Sequence, residues 1–233
     1  MNSAVIVAGG SGSRMESSVK KQYIRLNGRE ILSFSIEAFE KTNTVDEIVV
    51  AVPAEDINYV NEYIVDKYGF KKVRCIVSGG DTRQASVLSA LTSCSENTDI
   101  VAIHDGARPF ISKDVIEECF RQAKSFGGAA CAVKVKDTLK SADDEMFFSG
   151  TSDREKLYMV QTPQAFNYKK ILEAHKWAKE SGFLATDDTQ IAEKFGMKVK
   201  LVEGSYLNIK ITTKDDLLIS QGILNSLKRR DNL

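Results

Sequence analysis

The chain has 233 residues, of which 42% are hydrophobic and only 3 are proline. This composition predicts one packed globular domain over residues 1–233 and excludes a disordered chain. Its 32 lysines and arginines balance its 32 aspartates and glutamates, so no overall basic field attracts a polyanion. We therefore expect no nucleic acid and no membrane among its partners.

The first distinctive segment is an apolar, β-branched run at 4–8 that ends in a glycine-rich loop. The loop contains Gly9, Gly10, Gly12 and Arg14, as expected where a buried strand enters a tight turn before a helix. Glycines let backbone N–H groups approach an anion closely, and the start of a helix adds positive potential. The loop predicts a phosphate site, with a purely structural turn as the alternative.

This loop fits neither of two common nucleotide-binding motifs. A Walker loop needs lysine and then serine or threonine after its glycines, whereas Ser13 and Arg14 follow Gly12 here. The dinucleotide fingerprint needs a small residue where Met15 stands. A dinucleotide-dependent oxidoreductase therefore remains only a distant alternative.

Apolar strand-like runs and amphipathic helical segments alternate along the chain. Strands are predicted at 4–8, 47–52, 73–77, 100–103, 129–135 and 199–202. Helices are predicted at 30–41, 56–68, 83–95, 113–126, 168–179, 187–195 and 214–227. The alternation predicts an α/β fold, with a mostly parallel twisted sheet and helices on both faces. Because such sheets bind ligands beyond the carboxyl ends of their strands, the glycine loop lies where a site is expected.

The alternation breaks between Lys136 and Gln164. A polar segment at 140–145 separates two short extended stretches there, which predicts a protruding β-arm at about 136–160. An arm without its own core needs a surface to pack on, and a second subunit is the simplest candidate. We expect a homodimer formed through the arm, with a solvated hairpin as the alternative.

Two further loops follow predicted strands. Gly79, Gly80 and Asp81 precede a helix, so their backbone N–H groups are placed to meet an anion or a base, unless the segment is a plain turn. Asp105 ends another strand and is a candidate ligand for Mg²⁺, which typically takes one or two carboxylates plus substrate phosphate oxygens. Capping of the next turn is the alternative for this aspartate.

The sequence offers no evident nucleophile or general base. His104 stands at a strand end and is expected to be a packed, hydrogen-bonded histidine, while His175 lies in a helix. There is no Gly-x-Ser-x-Gly segment, and the 4 cysteines lack Cys-x-x-Cys spacing, which indicates reduced packing residues. Cations and backbone donors suit phosphoryl or nucleotidyl transfer, where catalysis is mainly positioning and electrostatic stabilisation.

Taken in order, these segments closely resemble the 2-C-methyl-D-erythritol 4-phosphate cytidylyltransferases of the non-mevalonate isoprenoid pathway. The matching segments are 8–15, 21–23, 79–83, 104–109, 137–140, 151–154, 161–166, 186–188 and 208–212. Each is weak alone, but together they are highly specific. The resemblance implies a Rossmann-like nucleotidyltransferase that uses Mg²⁺ to join CTP and methylerythritol phosphate, releasing pyrophosphate.

The resemblance also implies roles for individual residues. Catalysis would depend on Arg14, Lys21 and Lys210. CTP would contact Ala8, Gly9, Gly10, Gly12, Lys21, Gly79, Gly80, Asp81, Ser86 and Ala107. The polyol phosphate would contact Thr138 and Arg154 across a dimer interface, together with Arg108, Thr186 and Asp187. Asp105 would bind the metal.

One position departs from the family pattern. The family usually has proline before its Lys-Gln-Tyr triplet, and this chain has Lys20. Loss of proline frees the backbone and adds a charge, so Lys20 is a candidate to share the part expected of Lys21. We nevertheless expect Lys21 to be the more important of the two.

The nearest rival is a ribitol-5-phosphate cytidylyltransferase, which shares the fold and the nucleotide. Segments 151–154 and 186–188 resemble the methylerythritol branch more closely. A catalytically inactive nucleotide-binding protein is disfavoured by the joint presence of four residues, Arg14, Lys21, Asp105 and Lys210. With no signal segment before the first strand and no apolar run of about 20 residues, the protein is expected to be cytoplasmic.

Overall fold

A seven-stranded sheet forms the centre of the molecule. The computed structural model describes residues 1–9 and 20–231, and for Lys21 and residues 228–231 it describes only the backbone. The strands of the described chain are β1 Asn2–Val7, β2 Arg25–Leu26, β3 Arg29–Glu30, β4 Glu47–Val52, β5 Val73–Ser78, β6 Ile100–Asp105, β7 Gly128–Lys134, β8 Lys140–Ala142, β9 Phe148–Thr151, β10 Tyr158–Asn167 and β11 Lys200–Glu203. The helices are α1 Ile31–Glu40, α2 Ile57–Val60, α3 Arg83–Leu91, α4 Lys113–Phe126, α5 Tyr168–Glu180, α6 Asp188–Lys194 and α7 Lys214–Asp231. Short 3₁₀ turns lie at Lys21–Tyr23, Ala54–Asp56 and Arg154–Lys156, and a π-helical stretch at Asn61–Asp66 extends α2.

The central sheet has the strand order β11-β7-β10-β6-β1-β4-β5. All neighbouring pairs are parallel except the two that involve β10. The middle strands β4 and β6 are buried along their whole length, as expected for parallel strands covered on both faces. The predicted mostly parallel α/β fold is therefore confirmed.

Two hydrophobic cores cover the two faces of this sheet. Because side chains alternate along a strand, Ile6 packs in one core with Phe39 of α1, while its neighbour Val5 packs in the other with Leu91 and Ile171. A third cluster around Ile31, Phe110 and Leu224 anchors α7. The packing holds the carboxyl ends of β1, β5 and β6 together at one edge, where nine of the predicted site residues line a cavity.

Strand β10 lies between β6 and β7 and was not predicted from the sequence. Its middle carries the buried polar residues Gln161, Thr162 and Gln164. Pro163 stands among them, and the register with β7 shifts between Val160 and Gln164. Proline cannot donate to a strand ladder and normally argues against a central strand. The polar residues and Pro163 give no strand signal in the sequence, so β10 was missed in the prediction.

The segment predicted as an arm contains β8 and β9, which pair with each other as a separate antiparallel sheet. Every residue from 136 to 156 is exposed. Met146, Phe147 and Phe148 are the most exposed large apolar side chains of the arm, at 83%, 67% and 76%. The hairpin therefore carries an apolar surface with no covering from the described chain.

Two other sequence expectations concern the whole molecule. All 4 cysteines are free, and Cys94, Cys119 and Cys131 are buried, which confirms their interpretation as packing residues. Among the described residues, no helix is both long enough and apolar enough to cross a membrane.

Candidate active site

A cavity of about 720 Å³ opens at the carboxyl ends of β1, β5 and β6. We call it the strand-end cavity. The residues predicted for the site that line it are Ala8, Gly9, Gly79, Gly80, Asp81, Ser86, Asp105, Ala107 and Lys210. The fold thus brings together residues that are up to two hundred positions apart in the chain. The two predicted glycines Gly10 and Gly12, and Arg14, lie outside the described residues.

The turn between β5 and α3 forms one wall of the cavity. Thr82 begins the helix by accepting a hydrogen bond from the Ala85 backbone N–H at 3.1 Å. A Cβ atom added at Gly79 would lie 2.8 Å from Ser86 Oγ, and one at Gly80 would lie 2.6 Å from the Ala85 Cβ. Both glycines are required because their backbone packs directly against the first turn of α3. The backbone of the two glycines therefore forms part of this wall, beside Asp81, Thr82 and Arg83.

Asp105 ends β6 and faces three cationic side chains. Its Oδ2 lies 2.8 Å from Lys210 Nζ and 3.7 Å from Arg108 Nε, and its Oδ1 accepts a hydrogen bond from Arg83 Nε at 2.9 Å. Burial alone would raise the pKa of Asp105, but the charges of Arg83 and Lys210 outweigh it and hold the pKa well below its usual range. The carboxylate is therefore ionised throughout the physiological range.

Arg83 also contacts a second buried carboxylate. Its Nη2 donates to Asp188 Oδ2 at 2.8 Å, and Asp188 Oδ1 lies 3.2 Å from Nε2 of the fully buried His175. Burial opposes the charge of Arg83, yet the two carboxylates raise its pKa above the usual range. No separate role was predicted for Arg83, Asp188 or His175, although Arg83 and Asp188 stand within matched segments. Only the tertiary structure reveals their contact.

His104 is packed, as expected. Its Nδ1 lies 3.0 Å from Thr162 Oγ1, and its Nε2 lies 3.1 Å from the Arg108 carbonyl oxygen. Complete burial is the main cause that lowers the pKa of His104 to about 4. The imidazole is neutral near pH 7 and supports the end of β6 from inside the core.

The predicted polyol contacts fall in two places. Arg108 lies beside Asp105 and donates to the Asn208 carbonyl oxygen at 2.8 Å. Asp187 caps α6 and accepts from Gln164 Nε2 at 2.9 Å, while Thr186 is exposed just before it. None of these three residues lines the strand-end cavity, although Arg108 contacts Asp105 of its lining at 3.7 Å.

Thr138 and Arg154 lie elsewhere, at the base of the arm. Both are exposed and neither lines the strand-end cavity. Arg154 donates to the Lys136 carbonyl oxygen, and the Lys136 ammonium lies 3.4 Å from the centre of the Tyr206 ring. The fold of one chain thus does not bring these two predicted contacts to its own cavity.

Lys20 is held by two carboxylates. Its Nζ lies 2.7 Å from Glu55 Oε1 and 2.7 Å from Asp56 Oδ2, and Asp56 also accepts from the Tyr23 hydroxyl at 3.0 Å. The ammonium is neutralised where it stands, which argues against its sharing the part expected of Lys21. For Lys21 itself, the structure describes only a backbone that begins a 3₁₀ turn.

Comparison with known proteins identifies the family of this chain. Residues 2–226 match the family model of 2-C-methyl-D-erythritol 4-phosphate cytidylyltransferase, IspD. The chain belongs to this family. It is 47% identical over 224 residues to the enzyme of that name from Clostridium acetobutylicum, covering 96% of this chain and 97% of the relative. The corresponding protein of Clostridium novyi is 45% identical over 227 residues, covering 97% and 98%.

Solved structures agree with the sequence comparison. The 4-diphosphocytidyl-2C-methyl-D-erythritol synthase of Anaerococcus prevotii superposes with a TM-score of 0.85 at 34% identity, covering 96% of each chain. The 2-C-methyl-D-erythritol 4-phosphate cytidylyltransferase of Thermus thermophilus gives a TM-score of 0.76 at 30% identity, covering 96% of this chain and 98% of that one. The resemblance inferred from the sequence is confirmed, and IspD membership makes the chain a nucleotidyltransferase rather than a dinucleotide-dependent oxidoreductase.

Proposed function

We propose that this IspD family member transfers the cytidylyl group of CTP to 2-C-methyl-D-erythritol 4-phosphate, giving 4-diphosphocytidyl-2-C-methyl-D-erythritol and pyrophosphate. The observation that carries the proposal is the strand-end cavity, where Asp105 and Lys210 meet the glycine turns after β1 and β5. The N–H groups of Gly79 and Gly80 are already bonded to the Val52 carbonyl at 2.7 Å and to Ser86 Oγ at 3.1 Å, so the turn offers close backbone approach rather than free donors. Close backbone approach and cations at one edge of a parallel sheet suit a bound nucleotide.

The nucleotide would lie across the strand-end cavity. Gly79, Gly80 and Asp81 would contact the cytosine, with Ser86 and Ala107 behind them. The glycine turn is fixed by Ser86, whose Oγ accepts from the Gly80 N–H at 3.1 Å and donates to the Thr82 carbonyl at 2.9 Å. A rigid backbone edge of this kind selects a base by matching its hydrogen-bonding groups. The triphosphate would extend past Ala8 and Gly9 toward Lys210.

The reaction joins two anions, so the protein must mainly neutralise charge. A phosphate oxygen of the acceptor attacks the α-phosphorus of CTP, and the bond to pyrophosphate breaks. The attacking oxygen is already anionic and needs no general base. Lys210, together with Arg14 and Lys21, would stabilise the charge on the phosphoryl oxygens. Since the Lys210 ammonium has three donors, it can keep Asp105 as a partner while it binds a phosphate oxygen.

A divalent cation fits beside Asp105. Each carboxylate oxygen has two acceptor sites, and Oδ1 and Oδ2 each make one short contact with a cationic side chain. Mg²⁺ is usually bound by one or two carboxylates plus substrate phosphates, so Asp105 together with the triphosphate would supply a suitable set of ligands. When bound, the cation would neutralise charge on the triphosphate.

The arm supports the proposal of a homodimer. Its exposed Met146, Phe147 and Phe148 would pack on a second copy of the chain. Thr138 and Arg154 would then contact the polyol phosphate in the partner's cavity. The buried free cysteines suit the reducing cytoplasm, where we place the enzyme.

Pyrophosphate release tests the function directly. The protein is incubated with CTP, Mg²⁺ and either 2-C-methyl-D-erythritol 4-phosphate or ribitol 5-phosphate. We expect release with the methylerythritol acceptor and little with ribitol phosphate. Preference for ribitol phosphate would replace the acceptor in this proposal, and no release with either would overturn the assigned reaction.

A further inference from the structure

Arg83 forms hydrogen bonds with two carboxylates, Asp105 in the strand-end cavity and Asp188 outside its lining. Its Nε donates to Asp105 Oδ1 at 2.9 Å and its Nη2 donates to Asp188 Oδ2 at 2.8 Å. Asp105 lines the cavity, whereas Asp188 does not. The guanidinium therefore divides its charge between a carboxylate that faces the ligand and one that does not.

The second carboxylate is held firmly in place. The Asp188 side chain is 1% exposed, and its backbone N–H donates to Gln164 Oε1 at 3.1 Å. Its Oδ1 lies 3.2 Å from Nε2 of His175, which is wholly buried. Burying a carboxylate is costly, and Arg83 already has one anionic partner in Asp105. This arrangement calls for a role beyond simple charge pairing.

The role follows from what Asp105 must do under the proposed function, on which this inference rests. Asp105 already contacts Lys210 at 2.8 Å and Arg108 at 3.7 Å. A guanidinium without a second partner tends to bind a carboxylate through both of its N–H edges. If Arg83 did so here, Asp105 would be neutralised further and would retain fewer acceptor sites for a metal ion.

We infer that Asp188 is a positioning residue that draws part of the charge of Arg83 away from Asp105 and so keeps Asp105 able to bind a divalent cation with the CTP phosphates. Removal of the Asp188 charge should weaken metal binding without any direct contact being lost at the cavity. Retention of the charge at this position should preserve metal binding.

Four variants separate this role from simple stabilisation. Asp188→Asn and Asp188→Ser remove the charge, and the smaller serine provides a second neutral variant should the asparagine protein fail to fold. Asp188→Glu keeps the charge. Glu47→Gln is the matched control, because Glu47 is also buried and paired with an arginine, with Arg74 Nε at 2.8 Å, but it begins β4 at the opposite end of the sheet.

Two measurements report on the metal. The first is the rise in melting temperature caused by CTP with Mg²⁺, minus the rise caused by CTP with EDTA, since a ligand stabilises the state that binds it. The second is the Mg²⁺ concentration that gives half-maximal pyrophosphate release. Loss of one nearby buried negative charge should raise that concentration on the order of tenfold and shrink the metal-dependent thermal shift.

The inference is supported if both neutral Asp188 variants show these changes. In the same experiments the half-maximal Mg²⁺ concentration of Asp188→Glu and of Glu47→Gln should stay within about twofold of the parent value. It is overturned if a folded neutral variant is destabilised like Glu47→Gln but keeps the parent Mg²⁺ dependence. It is also overturned if Asp188→Glu is impaired as strongly as Asp188→Asn. A parent protein that shows no response to CTP would instead contradict the proposed function.

Discussion

In the strand-end cavity Asp105 is buried among cationic side chains, whereas along the arm every residue from 136 to 156 is exposed. The cavity is organised within one chain, because the parallel sheet brings its strand ends together and the two cores fix them. The arm has neither a core nor a covering surface in the described chain. Under the proposed function, one chain would build the nucleotide half of the site, while the half predicted on the arm would need a second chain.

The largest effect should come from removing charge at the cavity. Lys210→Ala is expected to lower kcat by about a hundredfold or more, in line with the loss of one preorganised donor, while the melting temperature changes little because the Lys210 side chain is a third exposed. Lys41→Ala, which removes an exposed lysine paired with Glu37, is the control. Equal kcat values for the two variants would show that Lys210 does not act on the reacting phosphates.

The neighbouring residues Lys20 and Lys21 are expected to differ in their effect on catalysis. Lys21→Ala should reduce kcat by a factor similar to that of Lys210→Ala. Lys20→Ala should have a much smaller effect on kcat, because the Lys20 ammonium is paired with Glu55 and Asp56. Steady-state kinetics of the two variants under identical conditions test the prediction, which equal losses would contradict.

Mixed dimers test whether the arm completes a neighbouring site. Arg14→Ala and Arg154→Ala chains should each be nearly inactive alone. If the arm serves the partner's cavity, a mixed dimer contains one site without either substitution, so co-refolded or co-expressed chains should recover up to about a quarter of the parent activity. Activity that stays at the level of the single variants would favour self-contained subunits.

The exposed apolar residues of the arm, Met146, Phe147 and Phe148, offer a direct test of dimer formation. Phe148→Asp should weaken the dimer, because a charge would be buried against the second copy, and the mass measured by light scattering should fall toward that of one chain. Leu184→Asp is the control, since Leu184 is 80% exposed and lies outside the arm. A parent protein that is monomeric at all concentrations would refute the arm as a dimer contact.

The smallest expected effect is the loss of stability that the buried His104 causes as the pH falls. Its pKa is lowered to about 4 in the folded chain, below the value near 6.5 of an unfolded histidine. The unfolded state therefore binds the proton first as the pH falls, and the free energy of unfolding should drop by about 2 kcal/mol between pH 6.5 and 4.5. Denaturant titrations should show that the free energy of unfolding of His104→Gln depends less on pH over this range than that of the parent protein. An identical slope in both proteins would assign the acid sensitivity to other groups.

Local patterns were enough to predict much of this protein. The apolar runs of β1, β5 and β6, which end in glycines or an aspartate, indicated parallel strands with a ligand site at their carboxyl ends. The exposed polar segment after Lys136 indicated an arm. These features could be predicted because each depends on residues close together in the chain, whose side-chain periodicity and turn chemistry determine the local structure.

Long-range pairing was decided only by the tertiary structure. The polar middle of β10 lies in the centre of the sheet because β6 and β7 supply its partners, although Pro163 argues against a strand locally. Arg83 and Asp188 are separated by 105 positions, so no spacing rule links them. A buried charge becomes favourable only when its partner is brought into contact, and that contact exists only in the folded chain.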